Sequence, residues 1–116
     1  MGYDTQYDLE LRNPFTGKIL DYENLIELVV KDLRDTCEEA KYSLDSHGKR
    51  TCDECRWYKH EDDLRKFSKR YSSFLFVLHG EGESPGDIWR KYFLNGQCQE
   101  ARAVVQIAAF DRDKLK

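Results

Sequence analysis

Thr5, Tyr7, Leu9 and Leu11 alternate with Gln6, Asp8, Glu10 and Arg12, a period of two that predicts an opening strand with one bulky face. Asn13-Pro14 ends it, and Phe15-Thr16-Gly17-Lys18 is turn chemistry. From Tyr22 the apolar positions Leu25, Ile26, Val29, Leu33, Cys37 and Ala40 follow a helical period, which predicts one amphipathic helix with a single buried stripe. Asp21 is its expected N-cap, with Asn24 where a capping box would carry Glu or Gln. Cys37, lying on that stripe, reads as core.

Between Lys41 and Lys59 the pattern weakens: Tyr42 and Leu44 suggest a short strand, Asp45-Ser46-His47-Gly48 a turn, and Glu54 to Tyr58 a second strand or its continuation. A second helix is predicted from His60 to Tyr71. It opens on Glu61, Asp62 and Asp63 and closes on Lys66, Lys69 and Arg70, each sign where the helix dipole favours it. The unbroken apolar run Phe74 to Leu78 should be a central strand. Asp87 to Leu94 and Gln97 to Ala108 are then two strands joined by Asn95-Gly96, a pair suited to a tight turn in which both residues take positive φ. The resulting order, β-α-β-α-β-β-β, suits an α+β ferredoxin-like sandwich with a mainly antiparallel sheet and two helices on one face.

A length of 116 residues fits a single domain spanning 1–116, and 13% aromatic residues argue against disorder. The 19 basic and 22 acidic residues give a formal charge of -3, too mixed to steer the chain toward nucleic acid or anionic lipid. No apolar run reaches the length of a membrane span, and the polar opening lacks signal-peptide character, so a cytoplasmic protein without a membrane partner is expected. In a reducing compartment Cys37, Cys52, Cys55 and Cys98 are expected as free thiols.

Two constellations could carry chemistry. His47, Cys52, Cys55 and His60 form H-x4-C-x2-C-x4-H, whose inner spacing allows two thiolates to grip one zinc; ordinary surface thiols and a polar helix start explain the same residues. His79, Glu81 and Glu83 share one parity, so a persisting strand puts them on one face, with Asp87 beyond the Gly82 to Gly86 turn. Such a cluster could bind a cation, perform acid–base chemistry or line a binding surface, and a solvated strand end gives the same composition. Trp57, Trp89 and Tyr92 are placed nearby as interface rings or as core. Arg65, Lys66, Lys69 and Arg70 with Arg90 and Lys91 make a basic run that could meet phosphates, although a helix end prefers the same charges. No phosphate loop, nucleophile elbow or His-Glu-x-x-His helix is present.

Over Trp57 to Leu64, Phe67 to Tyr71, Phe76-x-Leu78-x-Gly80-Glu81-Gly82-Glu83, Gly86-Asp87-Ile88-Trp89 and Tyr92-Phe93-x-Asn95-Gly96, together with Met1-Gly2-Tyr3, the chain resembles small proteins of phages and mobile elements, and its back half resembles the YubB ferredoxin-like domain. The resemblance implies a fold and a genetic context and no catalytic residues; Cys52 and Cys55 fall outside it. The expectation is a small non-enzymatic binding protein that meets a host or phage protein, a second copy of itself, or a small ligand. Its expected contact residues are Trp57, His60, His79, Glu81, Glu83, Asp87 and Trp89, and inhibition of host defence is one role this context suggests. The alternatives are a metal-dependent enzyme built on His79, Glu81 and Glu83, and a nucleic-acid-binding domain.

Overall fold

A computed structural model describes residues 3–116 apart from 21, 23, 52–54 and 105. Among these, the elements run β1 (Thr5–Arg12), α1 (Leu25–Thr36), α2 (Glu38–Ser43), α3 (His60–Phe67), β2 (Leu75–Gly82), β3 (Ile88–Leu94) and β4 (Gln97–Arg102), followed by a 3₁₀ turn at Arg112–Lys114. The protein is α+β, with a four-stranded sheet in the order β1-β2-β3-β4, antiparallel throughout.

The expected strand alternation of β1 is present as a strict alternation of buried and half-buried residues. Thr5, Tyr7, Leu9 and Leu11 face the helices, and Gln6, Asp8, Glu10 and Arg12 face the other way. β2 lies in the middle as expected and runs on to Gly82, pairing Leu9 with Leu78 on one side and Phe76 with Phe93 on the other. Asn95 and Gly96 take the positive φ values of 45° and 87° that the predicted hairpin requires.

The order differs from the expected β-α-β-α-β-β-β. Between the helices the described residues hold only an isolated bridge, Leu44 with Arg50, around the predicted turn; Glu54, the start of the expected second strand, lies outside the described residues. A ferredoxin-like sandwich needs split βαβ units, in which a helical crossover joins parallel strands. Here β1 and β2, the strands flanking all three helices, are direct antiparallel neighbours, so the sheet is a meander.

The first predicted helix is two. The chain straightens at Cys37 (φ -116°, ψ 110°) and α2 restarts on Glu38 and Glu39, acids that suit a helix N-terminus. Thr36 donates its hydroxyl back to the Asp32 carbonyl at 2.7 Å, a bond that loosens a helix end. The apolar stripe survives the break, since Val29, Leu33, Cys37 and Ala40 are all buried. The N-cap is Asn24, in a left-handed conformation, and the expected cap Asp21 lies outside the described residues. α3 stops at Phe67 rather than Tyr71 because the Ser68 hydroxyl donates to the Arg65 carbonyl and accepts from the Gly96 N–H, tying the helix end to the hairpin turn. β4 ends at Arg102, six residues before the predicted limit, because β3 begins at Ile88, whose carbonyl takes the Ala103 N–H as the last bond of the ladder.

The outer margin of β1 is closed by loop backbone: Leu20 donates to the Leu11 carbonyl, Leu9 to Gly48 and Thr5 to Cys55. The core between sheet and helices gathers Trp57, Leu64, Phe67, Phe76, Leu78, Phe93 and Trp89 with the α1 stripe. Gly80 and Trp89 are cross-strand partners, and a Cβ at Gly80 would meet the indole ring at 2.2 Å. Gly80→Ala should therefore displace Trp89 and lower stability by about 2 kcal/mol, the range of an overpacked core, read as a shift in the urea unfolding midpoint; an unchanged midpoint would show that the ring does not depend on the bare backbone beneath it.

Candidate functional site

The register of β2 decides which residues meet. His79 and Glu81 project from the face of the sheet opposite the helices, where Asp8 pairs with His79 and Gln6 with Glu81 across β1, and Arg90 pairs with His79 across β3. The polar half of β1 therefore becomes half of a charged surface. Arg50 reaches over the β1 margin, donating from Nη2 to Asp8 at 2.7 Å and from Nη1 to Glu81 at 3.1 Å, while its backbone N–H also donates to Asp8. His79 Nε2 donates to Glu10, whose other oxygen accepts from Arg12 at 3.0 Å. Together Asp8, Glu10, Arg50, His79, Glu81 and Arg90 line an open recess of about 330 Å³.

Two carboxyls here are held below their ordinary range. Partial burial alone would raise Asp8, but its hydrogen bonds from Arg50 and that guanidinium's charge outweigh the burial. Glu10 follows the same logic, with burial opposed by Arg12 and His79. Both remain carboxylates at neutral pH, each facing a donor.

The other predicted contact residues lie elsewhere. Glu83 accepts the Asp4 N–H at 3.0 Å, and Asp87 accepts from Tyr3 at 2.6 Å and from Arg102 at 3.0 Å. Both acids thus pin the β2–β3 turn to the start of β1. Gly82 leaves them room, since a Cβ there would lie 2.1 Å from the Asp87 carboxylate and the Asp87 and Tyr3 side chains would have to shift. Tyr3, followed by Arg102, holds the Asp87 carboxyl below its usual range.

Trp57, His60 and Trp89 sit on the helix side, with both tryptophans buried. His60 stacks on Trp89 at 5.1 Å between centroids and 18° between planes, and Tyr7 is edge-on to both indoles. The Trp57 indole N–H donates to Asp63 at 2.8 Å. Lys91 closes this cluster from β3, its Nζ 4.9 Å from the Trp89 ring centre, 2.8 Å from His60 Nε2 and 3.5 Å from both Glu61 and Glu100. It is therefore turned inward rather than available to a phosphate, as the basic run had suggested. Arg65 and Arg70 of the same run pair with Glu61 and Asp32.

The chemistry of its partners fixes the His60 tautomer: Nδ1 faces the Trp57 carbonyl, which only accepts, and Nε2 faces an ammonium, which only donates. The ring is thus neutral. Burial pushes its pKa below the ordinary 6.5, the Trp57 carbonyl opposing this and Lys91 adding to it.

For the zinc set, His47 pairs through Nε2 with Glu27 and through Nδ1 with Ser46, Cys55 is buried beside the Thr51 hydroxyl, and both His60 nitrogens are engaged as above. Cys52 lies outside the described residues; among the described ones no group of three or more His, Cys, Asp or Glu side chains is placed to hold a metal ion. No helix among the described residues is long and apolar enough to cross a membrane.

The sequence reading thus named His79 and Glu81 but missed Asp8, Glu10 and Arg50. Asp8 and Glu10 carried a usable signal, being the polar parity of a strand that had to lie beside something. Arg50 carried none, since it sits in a loop with no periodicity. Comparison with protein-family models, with curated proteins and with solved structures gave no match.

Because the folded chain disfavours protonated His60, the unfolded chain binds the extra proton first. The stability that this residue contributes is present in full above about pH 6.5 and is lost as pH falls from there through the depressed folded value. A proton-detected titration should find His60 neutral, with the hydrogen on Nδ1, at pH 7. Lys91→Met should move its midpoint up, part of the way back to 6.5. A midpoint at or above 6.5 in the unmodified protein would contradict this packing.

Proposed function

We propose that the chain is a small non-enzymatic binding protein that engages a protein partner through the open face of its sheet, around His79, Glu81 and Arg90. Arg90 carries this reading. It is exposed at the rim of the recess and has no hydrogen bond or ion pair among the described residues, whereas the carboxylates around it are already matched. Ile88 beside it is 48% exposed on the same face. A cation without a partner next to an exposed aliphatic side chain, on a strand held from both sides, is the composition of a rigid contact surface.

The alternative, acid–base or metal chemistry at His79, Glu81 and Glu83, needs a group free to move a proton at a reacting atom. The structure separates these three, since Glu83 accepts the Asp4 N–H at the β2–β3 turn while His79 and Glu81 pair with Glu10 and Arg50 on the sheet face, so the binding reading is the better supported of the two. The resemblance to phage and mobile-element proteins supports a partner from a host cell, a defence component among them; this part rests on analogy of context.

Ile88→Asp combined with Arg90→Glu changes two exposed side chains and should leave the circular-dichroism melt intact. Affinity purification from host lysate should lose the partner recovered with the unmodified protein, while Lys31→Glu, on an exposed position of α1, should keep it. Undiminished recovery with the double variant would move the interaction off this face.

A further inference from the structure

The two margins of the sheet are finished differently. That of β1 is covered by loop backbone, whereas among the described residues no backbone group pairs with the outer side of β4. Ala103 donates to the Ile88 carbonyl, and inward- and outward-bonding residues alternate along an antiparallel ladder. Gln99 and Ala101 therefore bond to β3, and Cys98, Glu100 and Arg102 present their N–H and C=O groups outward. Beyond Ala103, residue 104 and residues 106–116 form an arm on which Val104, Ile107, Phe110 and Leu115 are 77%, 89%, 78% and 66% exposed. The radius of gyration is 16.6 Å, against about 13 to 14 Å for a compact chain of this length, which the outlying arm explains.

We propose that β4 pairs antiparallel with β4 of a second copy of this chain, about a two-fold axis at Ala101, and that each arm crosses onto the other copy. Parity limits the choice, because only the outward set of Cys98, Glu100, Arg102 and Val104 can exchange bonds with its own counterpart. Charge then selects the register. Centring on Ala101 sets Glu100 opposite Arg102 of the second copy, twice by symmetry. Moving the axis one residue either way sets Glu100 against Glu100 or Arg102 against Arg102, and like charges directly opposite destabilise a strand pair. The strand is thus complementary in charge to itself in one alignment.

The same alignment seats the arm. Val104 falls opposite Cys98 of the second copy, which lines an open recess of about 520 Å³ together with Leu75, Tyr92 and Leu94. Val104, which shares the helix-side parity of Cys98, gains that residue as a neighbour, while Ile107, of the opposite parity, gains apolar neighbours at the recess that it lacks in one chain. No charge is stranded, since Arg102 keeps Asp87 and Glu100 keeps Lys91. The pairing is isologous and closed, the usual form of a homodimer.

Sedimentation equilibrium on the full chain should show a monomer–dimer equilibrium across the micromolar range. Val104→Cys supplies the sharper test. In the proposed register its Cα lies about 5.5 Å from that of Cys98 in the second copy, within reach of a disulfide. Within one chain six extended residues separate the two by about 20 Å. Mild oxidation should give a covalent dimer whose linked peptides carry Cys98 and position 104, and Cys98→Ser in the same background should abolish that link. A monomer at every concentration, or a dimer in which Val104→Cys never joins Cys98, overturns the proposal.

Discussion

Everything in this molecule hangs on the pairing of β1 with β2. Eight residues near one end of the chain, Thr5 to Arg12, align with eight in its back half, Leu75 to Gly82, across the whole helical segment. The closure entropy of so long a loop must be met by that ladder and by the core it creates. In return the pairing fixes the ceiling of the core, since Leu9 over Leu78 and Leu11 over Phe76 form the surface against which α1 and α3 pack. It also sets which side of the sheet each charged residue occupies.

That second consequence governs the chemistry. With the side-chain period at two, the pairing sends His79 and Glu81 to meet Asp8, Glu10 and Arg50, and sends Gly80 toward the helices, where its missing side chain makes room for Trp89. Residues that adjoin in sequence are thus divided between a wet, ion-paired surface and a dry aromatic cluster. His60 and His79 illustrate the contrast: one is stacked on an indole and neutral, the other donates to a half-buried carboxylate on the opposite face of the sheet.

How much of this was readable beforehand follows from what the signals depend on. β1, β2, the α1 stripe and the Asn95-Gly96 turn were legible because each rests on a local pattern: alternation, an unbroken apolar run, helical periodicity, or two residues tolerant of positive φ. The break at Cys37 was hidden because the apolar stripe continues through it unaltered. The stop at Ser68 depends on a hydroxyl that bonds both to its own helix and to a turn far along the chain. The extent of β4 is set by where β3 begins, and no property of β4 itself records that. For the site, face assignment required a register between distant strands, so His79 and Trp89 could not be separated from composition alone. Arg50, held by Asp8 and Glu81, is visible only once Gly48 and Cys55 are seen bonded along β1.

The sealing of β1 by the backbone of Leu20, Gly48 and Cys55 carries a further implication for how copies of this chain can accumulate. A sheet bare at both borders offers each newcomer a fresh template, and growth into fibres has no natural end. With a single free border, any strand recruited there leaves no vacant place behind it on the same molecule. Polymerisation by edge addition is thereby capped from within, by a glycine turn and three backbone bonds rather than by charge.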